Sequence, residues 1–239
     1  MAIVDEPVVY RDGNVELEGL LFRDEARPGP QPLVLIAHAW AGRDEFVARK
    51  ARRLAWHGYA AFCLDMYGRG VRGHSAAENG ALMMPLMRNR AALAHRMQLG
   101  LATARAQSGV DAARVAAMGF CFGGLCALDL ARSGADLRGV ISVHGLLKPN
   151  GLANAAPVRA RVLALHGYDD PMAPPDDVLA FAREFTAAGA DWQLHAYGQT
   201  VHAFTNPEAH DAQGGLLYNE RADRRSWHSL LQFLDEVLR

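Results

Sequence analysis

Val115-Ala-Ala-Met-Gly119-Phe120-Cys121-Phe122-Gly123-Gly124 is the stretch on which the fold turns. An apolar run enters it, glycines crowd its middle, and helix-forming residues follow. The pattern predicts a strand, a sharp bend and a helix, with Cys121 at the bend. This is the arrangement of a nucleophile elbow, with cysteine where serine is more usual. Gly119 and Gly123 are read as positions where strand and helix come too close for a side chain. The new helix would offer unpaired amides and the positive end of its dipole to Cys121, favouring a thiolate. The amide of Phe122 would face the oxyanion of a tetrahedral intermediate.

Outward from this segment, apolar runs alternate with amphipathic ones. Leu33–Ala37 and Ala60–Leu64 read as strands, and residues 44–57 as the helix between them, stopped by Gly58. Further strands are expected over 115–118, 139–143, 162–165 and 192–197. Helices are expected over 91–107, 121–133, 175–188 and 223–238, with Asp176 and Asp177 as capping residues of the third of these. Residues 8–12 and 15–22 read as a hairpin around Asp12-Gly13. The alternation predicts an α/β fold with a mostly parallel central sheet and helices on both faces. All of 1–239 reads as one domain. Residues 66–90 interrupt the rhythm with glycines and then a methionine-rich cluster including Met83 and Met84. That segment is expected either to pack as a short core helix or to cover a ligand pocket.

Composition narrows the function. The chain has 239 residues and a formal net charge of -1, so no basic surface suggests nucleic acid. Arg221, Arg224 and Arg225 form the densest basic patch, and Asp223 and Glu220 dilute it. Three cysteines without framework spacing argue against a disulfide scaffold. Cys63 and Cys126 read as core residues. No apolar run is long enough to span a membrane, and a cytoplasmic location is the default expectation. No metal-ligand spacing is seen. The glycines lack both the Lys-Ser/Thr of a phosphate loop and dinucleotide-fingerprint spacing, so no cofactor is expected.

A nucleophile at such an elbow needs an acid and then a histidine later in the chain. His166-Gly-Tyr-Asp169-Asp170-Pro171 follows a strand. Asp170 is preferred over Asp169 because Pro171 restrains its backbone. His202 follows the last strand and is the expected base, oriented by Asp170. The loop His38-Ala39-Trp40-Ala41-Gly42 would supply the second oxyanion amide, from Trp40. Met66, Tyr67, Met83, His144 and Phe204 are candidate pocket residues. His57, His74, His95, His210 and His228 read as surface residues.

Together, Gly119–Gly124, Asp65-Met-Tyr-Gly68, His166–Pro171, His202-Ala-Phe204, Thr205-Asn-Pro and Tyr218-Asn with Ala222-Asp resemble the dienelactone hydrolase (carboxymethylenebutenolidase) family. The resemblance covers residues 12–237. It implies an α/β-hydrolase fold, a Cys121–His202–Asp170 triad, and cofactor-free hydrolysis of a small ester or lactone. Two positions depart from the best-known members. Ala39 stands where they carry a glutamate that controls the cysteine. Asn206 lies in the region where they carry an arginine for the substrate carboxylate, and Arg69 or Arg72 could supply that charge instead. The alternatives are a short-chain carboxylesterase or thioesterase on the same machinery, or a non-enzymatic or redox-responsive binding protein that keeps the fold. The partner is a small-molecule substrate; the sequence says nothing of oligomeric state.

Overall fold

The computed structural model describes residues 2–152 and 157–239. In chain order the elements are β1 (Ile3–Asp12), β2 (Val15–Asp24), β3 (Gln31–Ala37), α1 (Glu45–Trp56), β4 (Ala60–Cys63), α2 (Ala76–Arg88), α3 (Arg90–Arg105), β5 (Val110–Phe120), α4 (Phe122–Arg132), β6 (Gly139–Val143), β7 (Arg161–Gly167), α5 (Pro175–Ala187), β8 (Trp192–Tyr197) and α6 (Glu220–Leu238). These strands form one eight-stranded sheet ordered β1-β2-β4-β3-β5-β6-β7-β8, and His210–Asp211 pairs antiparallel with Leu216–Leu217 in a separate two-stranded ribbon. β1, β2 and β4 pair antiparallel, and every pairing from β4 through β3 to β8 is parallel.

Side chains alternate across this sheet, so each strand feeds two cores. Leu33, Leu35 and Ala37 of β3 join α3, α4 and α5 on one face. Val34 and Ile36 join α1 and α6 on the other. The continuous apolar runs of the parallel strands thus reflect burial on both sides. Among the described residues, no helix is long and apolar enough to cross a membrane.

Most elements lie where the sequence pattern puts them, with shifted ends. β1 extends well beyond the expected strand because ladder pairing continues through its polar residues, and β5 starts earlier because Val110 and Asp111 pair with Gln31 and Pro32 ahead of a register shift. α5 begins differently: Pro174 is its N-cap without a side-chain bond, Pro175 opens the helix, and Asp176 and Asp177 sit inside the first turn. There they complement the dipole rather than cap the end. Part of residues 66–90 forms α2, which contains Pro85 and buries little besides Asn79 and Leu86.

One ionic cluster crosses the α3–α4–α5 layer. Asp129 is fully buried and receives both Arg90, at 2.6 and 2.7 Å, and Arg132, at 3.0 Å. Arg132 then donates twice to Glu184, at 2.8 Å each. Pairing on every side makes burial of these charges tolerable.

The sheet order reverses direction beside β3, with β4 on one side and β5 on the other. Ligands of open parallel sheets bind beyond the strand carboxyl ends at such a switch point. Ala37 and Gly119 are register partners there. The loop after β3 and the bend after β5 therefore start side by side.

Candidate active site

Cys121 occupies the bend between β5 and α4 with φ 55° and ψ -118°. A non-glycine residue in this region is strained, and it persists only where its surroundings enforce it. The enforcement is steric. A Cβ on Gly119 would lie 2.0 Å from the Gly123 carbonyl oxygen, and one on Gly123 would lie 2.2 Å from that of Ala37. α4 can thus press its first turn against β5 and β3, which directs its free amides towards the sulfur.

His202 and Asp170 arrive on the loops after β8 and β7. His202 Nδ1 lies 2.7 Å from Asp170 Oδ2, with side-chain exposures of 1% and 0%. The other carboxylate oxygen accepts the Met172 amide at 2.8 Å. Asp169 is exposed, and its amide donates to the Thr200 carbonyl. The choice between the two aspartates is therefore made by direction: only Asp170 turns inward. The His202 backbone is fixed as well, its amide donating to Gly215 O at 3.0 Å and its carbonyl accepting Leu217 N at 3.2 Å.

Electrostatics couple this pair to the thiol. Burial by itself pushes the Cys121 thiol up; the adjacent His202 and the amides of Phe122 and Trp40 outweigh it, and the net direction is down. For His202, burial pushes down, while Cys121 and Asp170 more than compensate and raise it to about 10. Each group thus favours the charged form of the other. Cys63 and Cys126 have no such partners, and burial pushes both thiols up.

Cys121 and His202 open into a cavity of about 390 Å³. Trp40, Met83 and His144 line it, as the sequence suggests. Met66 and Phe204 do not: both are fully buried. Met66 instead donates its amide to His38 Nε2 at 3.2 Å, and Phe204 packs edge-on against His144. Tyr67 lies behind the wall and donates its hydroxyl to Trp40 O at 3.0 Å, steadying the loop that carries the second amide. A residue just past a strand end can face either side, and sequence position leaves that choice open.

The structure adds lining residues that sequence order does not single out. Asp44, Leu146, Met172, Asp211 and the exposed His210 all border the cavity. Asp44, Leu146 and Met172 follow β3, β6 and β7, whereas His210 and Asp211 are neighbours in a short strand far beyond β8. Ala39 and Asn206 also line it. Arg69 does not; it pairs with Glu16 at 3.0 Å and Glu18 at 3.1 Å. His166 is buried close enough to Asp170 to feel its charge, with burial pushing the imidazole down. Among the described residues, no group of histidine, cysteine and carboxylate side chains could hold a metal ion.

The dienelactone hydrolase family model matches residues 17–238. A solved dienelactone hydrolase-like promiscuous phosphotriesterase from metagenomic libraries is 35% identical, with a TM-score of 0.95 and full coverage of both chains. A putative carboxymethylenebutenolidase of Salmonella typhimurium is 26% identical over 225 residues, covering 88% of this chain and 79% of its own. At 18% identity, an α/β-hydrolase from a deep-sea metagenome shares the fold, with a TM-score of 0.64.

Proposed function

The chain belongs to the dienelactone hydrolase family, and from that premise we propose that it hydrolyses small, uncharged esters or lactones through an acyl-enzyme on Cys121. The observation that carries the reading is the sulfur's setting. One thiol, held below its ordinary range, faces His202 and the amides of Phe122 and Trp40.

The steps follow from that setting. The Cys121 thiolate attacks the carbonyl carbon, and the two amides receive the developing oxyanion. Collapse of the tetrahedral adduct breaks the carbon–oxygen ester bond, and the His202 imidazolium gives its proton to the departing alcohol or enol. Neutral His202 then takes a proton from water as the hydroxide adds to the thioester. The thiolate leaves, the acid is released, and the thiolate–imidazolium pair is restored. Asp170 keeps the imidazole in its working tautomer throughout. A thiolate is a good leaving group, so activated esters, lactones and thioesters suit this chemistry better than amides.

Cavity charge supports an uncharged substrate. Among the described residues the lining includes Asp44, Glu208 and Asp211 but neither lysine nor arginine. Asn206 offers a neutral amide there. A carboxylate-bearing lactone would meet repulsion rather than a clamp. A second reading, hydrolysis of neutral phosphotriesters, is favoured by the likeness to the 35%-identical dienelactone hydrolase-like promiscuous phosphotriesterase.

The test uses short p-nitrophenyl esters with the wild-type protein and Cys121→Ala, together with mass spectrometry of the protein during turnover. The expected result is activity only with the cysteine and a mass increase of one acyl group. Equal rates for the two proteins would overturn the reading.

A further inference from the structure

We infer that His144, clamped by Thr205, is a positioning residue that holds the backbone amide of Cys121 and so fixes the nucleophile against the loop carrying His202. This role of His144 rests on the proposed role of Cys121.

The Cys121 amide is not among the oxyanion donors. It is shared between two acceptors, Val143 O at 3.1 Å and His144 Nδ1 at 3.2 Å. Because Nδ1 accepts, a neutral His144 carries its proton on Nε2. Nε2 lies 2.8 Å from Thr205 Oγ1 and donates to it. Thr205 is 2% exposed and follows His202 by three residues. The connection therefore runs from the end of β5, through the end of β6, to the loop after β8.

Backbone geometry supports a dedicated function for this link. His144 adopts φ 37°, a left-handed conformation unusual for a side-chain-bearing residue. Its own amide is tied to Leu165 O at 2.8 Å. The strain turns the imidazole back towards the elbow, where its ring also meets the edge of His202 at 5.2 Å. The charged groups acting on it are His202 and Lys50, both of which oppose its protonation. Burial acts in the same direction, so His144 stays neutral and keeps its acceptor while His202 is cationic. Had it been protonated, Nδ1 would become a donor facing another donor.

The closing experiment compares Thr205→Val, which keeps the shape but loses the hydroxyl, with Thr205→Ser, which keeps the hydroxyl. On a short p-nitrophenyl ester, Thr205→Val is expected to lower kcat about tenfold, the effect of one buried hydrogen bond, with KM within about twofold. The pH midpoint of Cys121 alkylation should rise on the order of half a unit as the elbow loosens. Thr205→Ser should restore both. His144→Asn, whose amide oxygen can replace the Nδ1 acceptor, should retain more activity than His144→Phe. Wild-type behaviour of Thr205→Val, or equal losses in Thr205→Val and Thr205→Ser, overturns the clamp. Cys121→Ala separates the two claims: if it stays as active as wild type, the nucleophile assignment fails. If it is inactive while Thr205→Val is unaffected, only the clamp fails.

Discussion

Asp170 Oδ2 sits 2.7 Å from His202 Nδ1 in a setting almost closed to solvent, whereas its chain neighbour Asp169 faces water. Replacing Asp170 by Asn leaves the size unchanged but removes the charge and the tautomer control. Ester turnover is expected to fall by about 10² to 10⁴ in kcat. Asp169→Asn should stay close to wild type, because an exposed loop carboxylate makes no contribution to the imidazole. Steady-state kinetics on the two variants decide the point; similar losses in both would refute the distinction.

Reactivity should separate the three cysteines. Cys121 lies below the ordinary thiol range and Cys63 and Cys126 lie above it. Iodoacetamide followed by peptide mass mapping should label Cys121 first, with a midpoint below that of a free cysteine peptide. The sign of the pH profile follows. The thiolate–imidazolium pair forms as pH rises past the depressed Cys121 value and is lost as pH passes about 10, where His202 deprotonates. Esterase acylation should fall off on that alkaline side. A Cys121 midpoint at or above the free peptide's would contradict the ion pair.

Two glycines with opposite surroundings predict opposite stability changes. A methyl at Gly123 meets the Ala37 carbonyl, which belongs to a strand backbone and cannot yield. Gly123→Ala should cost about 1–3 kcal/mol and displace the amides facing Cys121. Gly80, within α2, has open space where a methyl would go, with nothing within 4 Å. Gly80→Ala should gain about 0.4–1 kcal/mol by restricting the unfolded chain. Urea denaturation midpoints measure both, and a stable Gly123→Ala protein would show that the elbow has slack.

Cavity charge predicts a change in selectivity. Asn206 lines a cavity whose carboxylates include Asp44 and Asp211. Asn206→Arg would add a cation at the position bordering the substrate. The ratio of kcat/KM for a carboxylate-bearing lactone to that for a neutral one should rise on the order of tenfold, a difference of about 1.4 kcal/mol. An unchanged ratio across a matched pair of lactones would argue that acyl-group charge is not read at this position.

The parallel α/β framework, the bend at Cys121 and the chain order of Cys121, Asp170 and His202 were legible from sequence. Those features are local: glycine sterics at 119 and 123, apolar periodicity, and loops that follow strands. Tertiary structure decided which way the residues of each loop point. Asp170 faces inward and Asp169 outward, Phe204 and Met66 are buried behind the cavity wall, and His210 reaches its mouth. The bond from Cys121 to His144 and on to Thr205 joins residues 23 and 61 positions apart. No local pattern encodes that link, because it exists only once β5, β6 and β8 lie in one sheet and their ends converge.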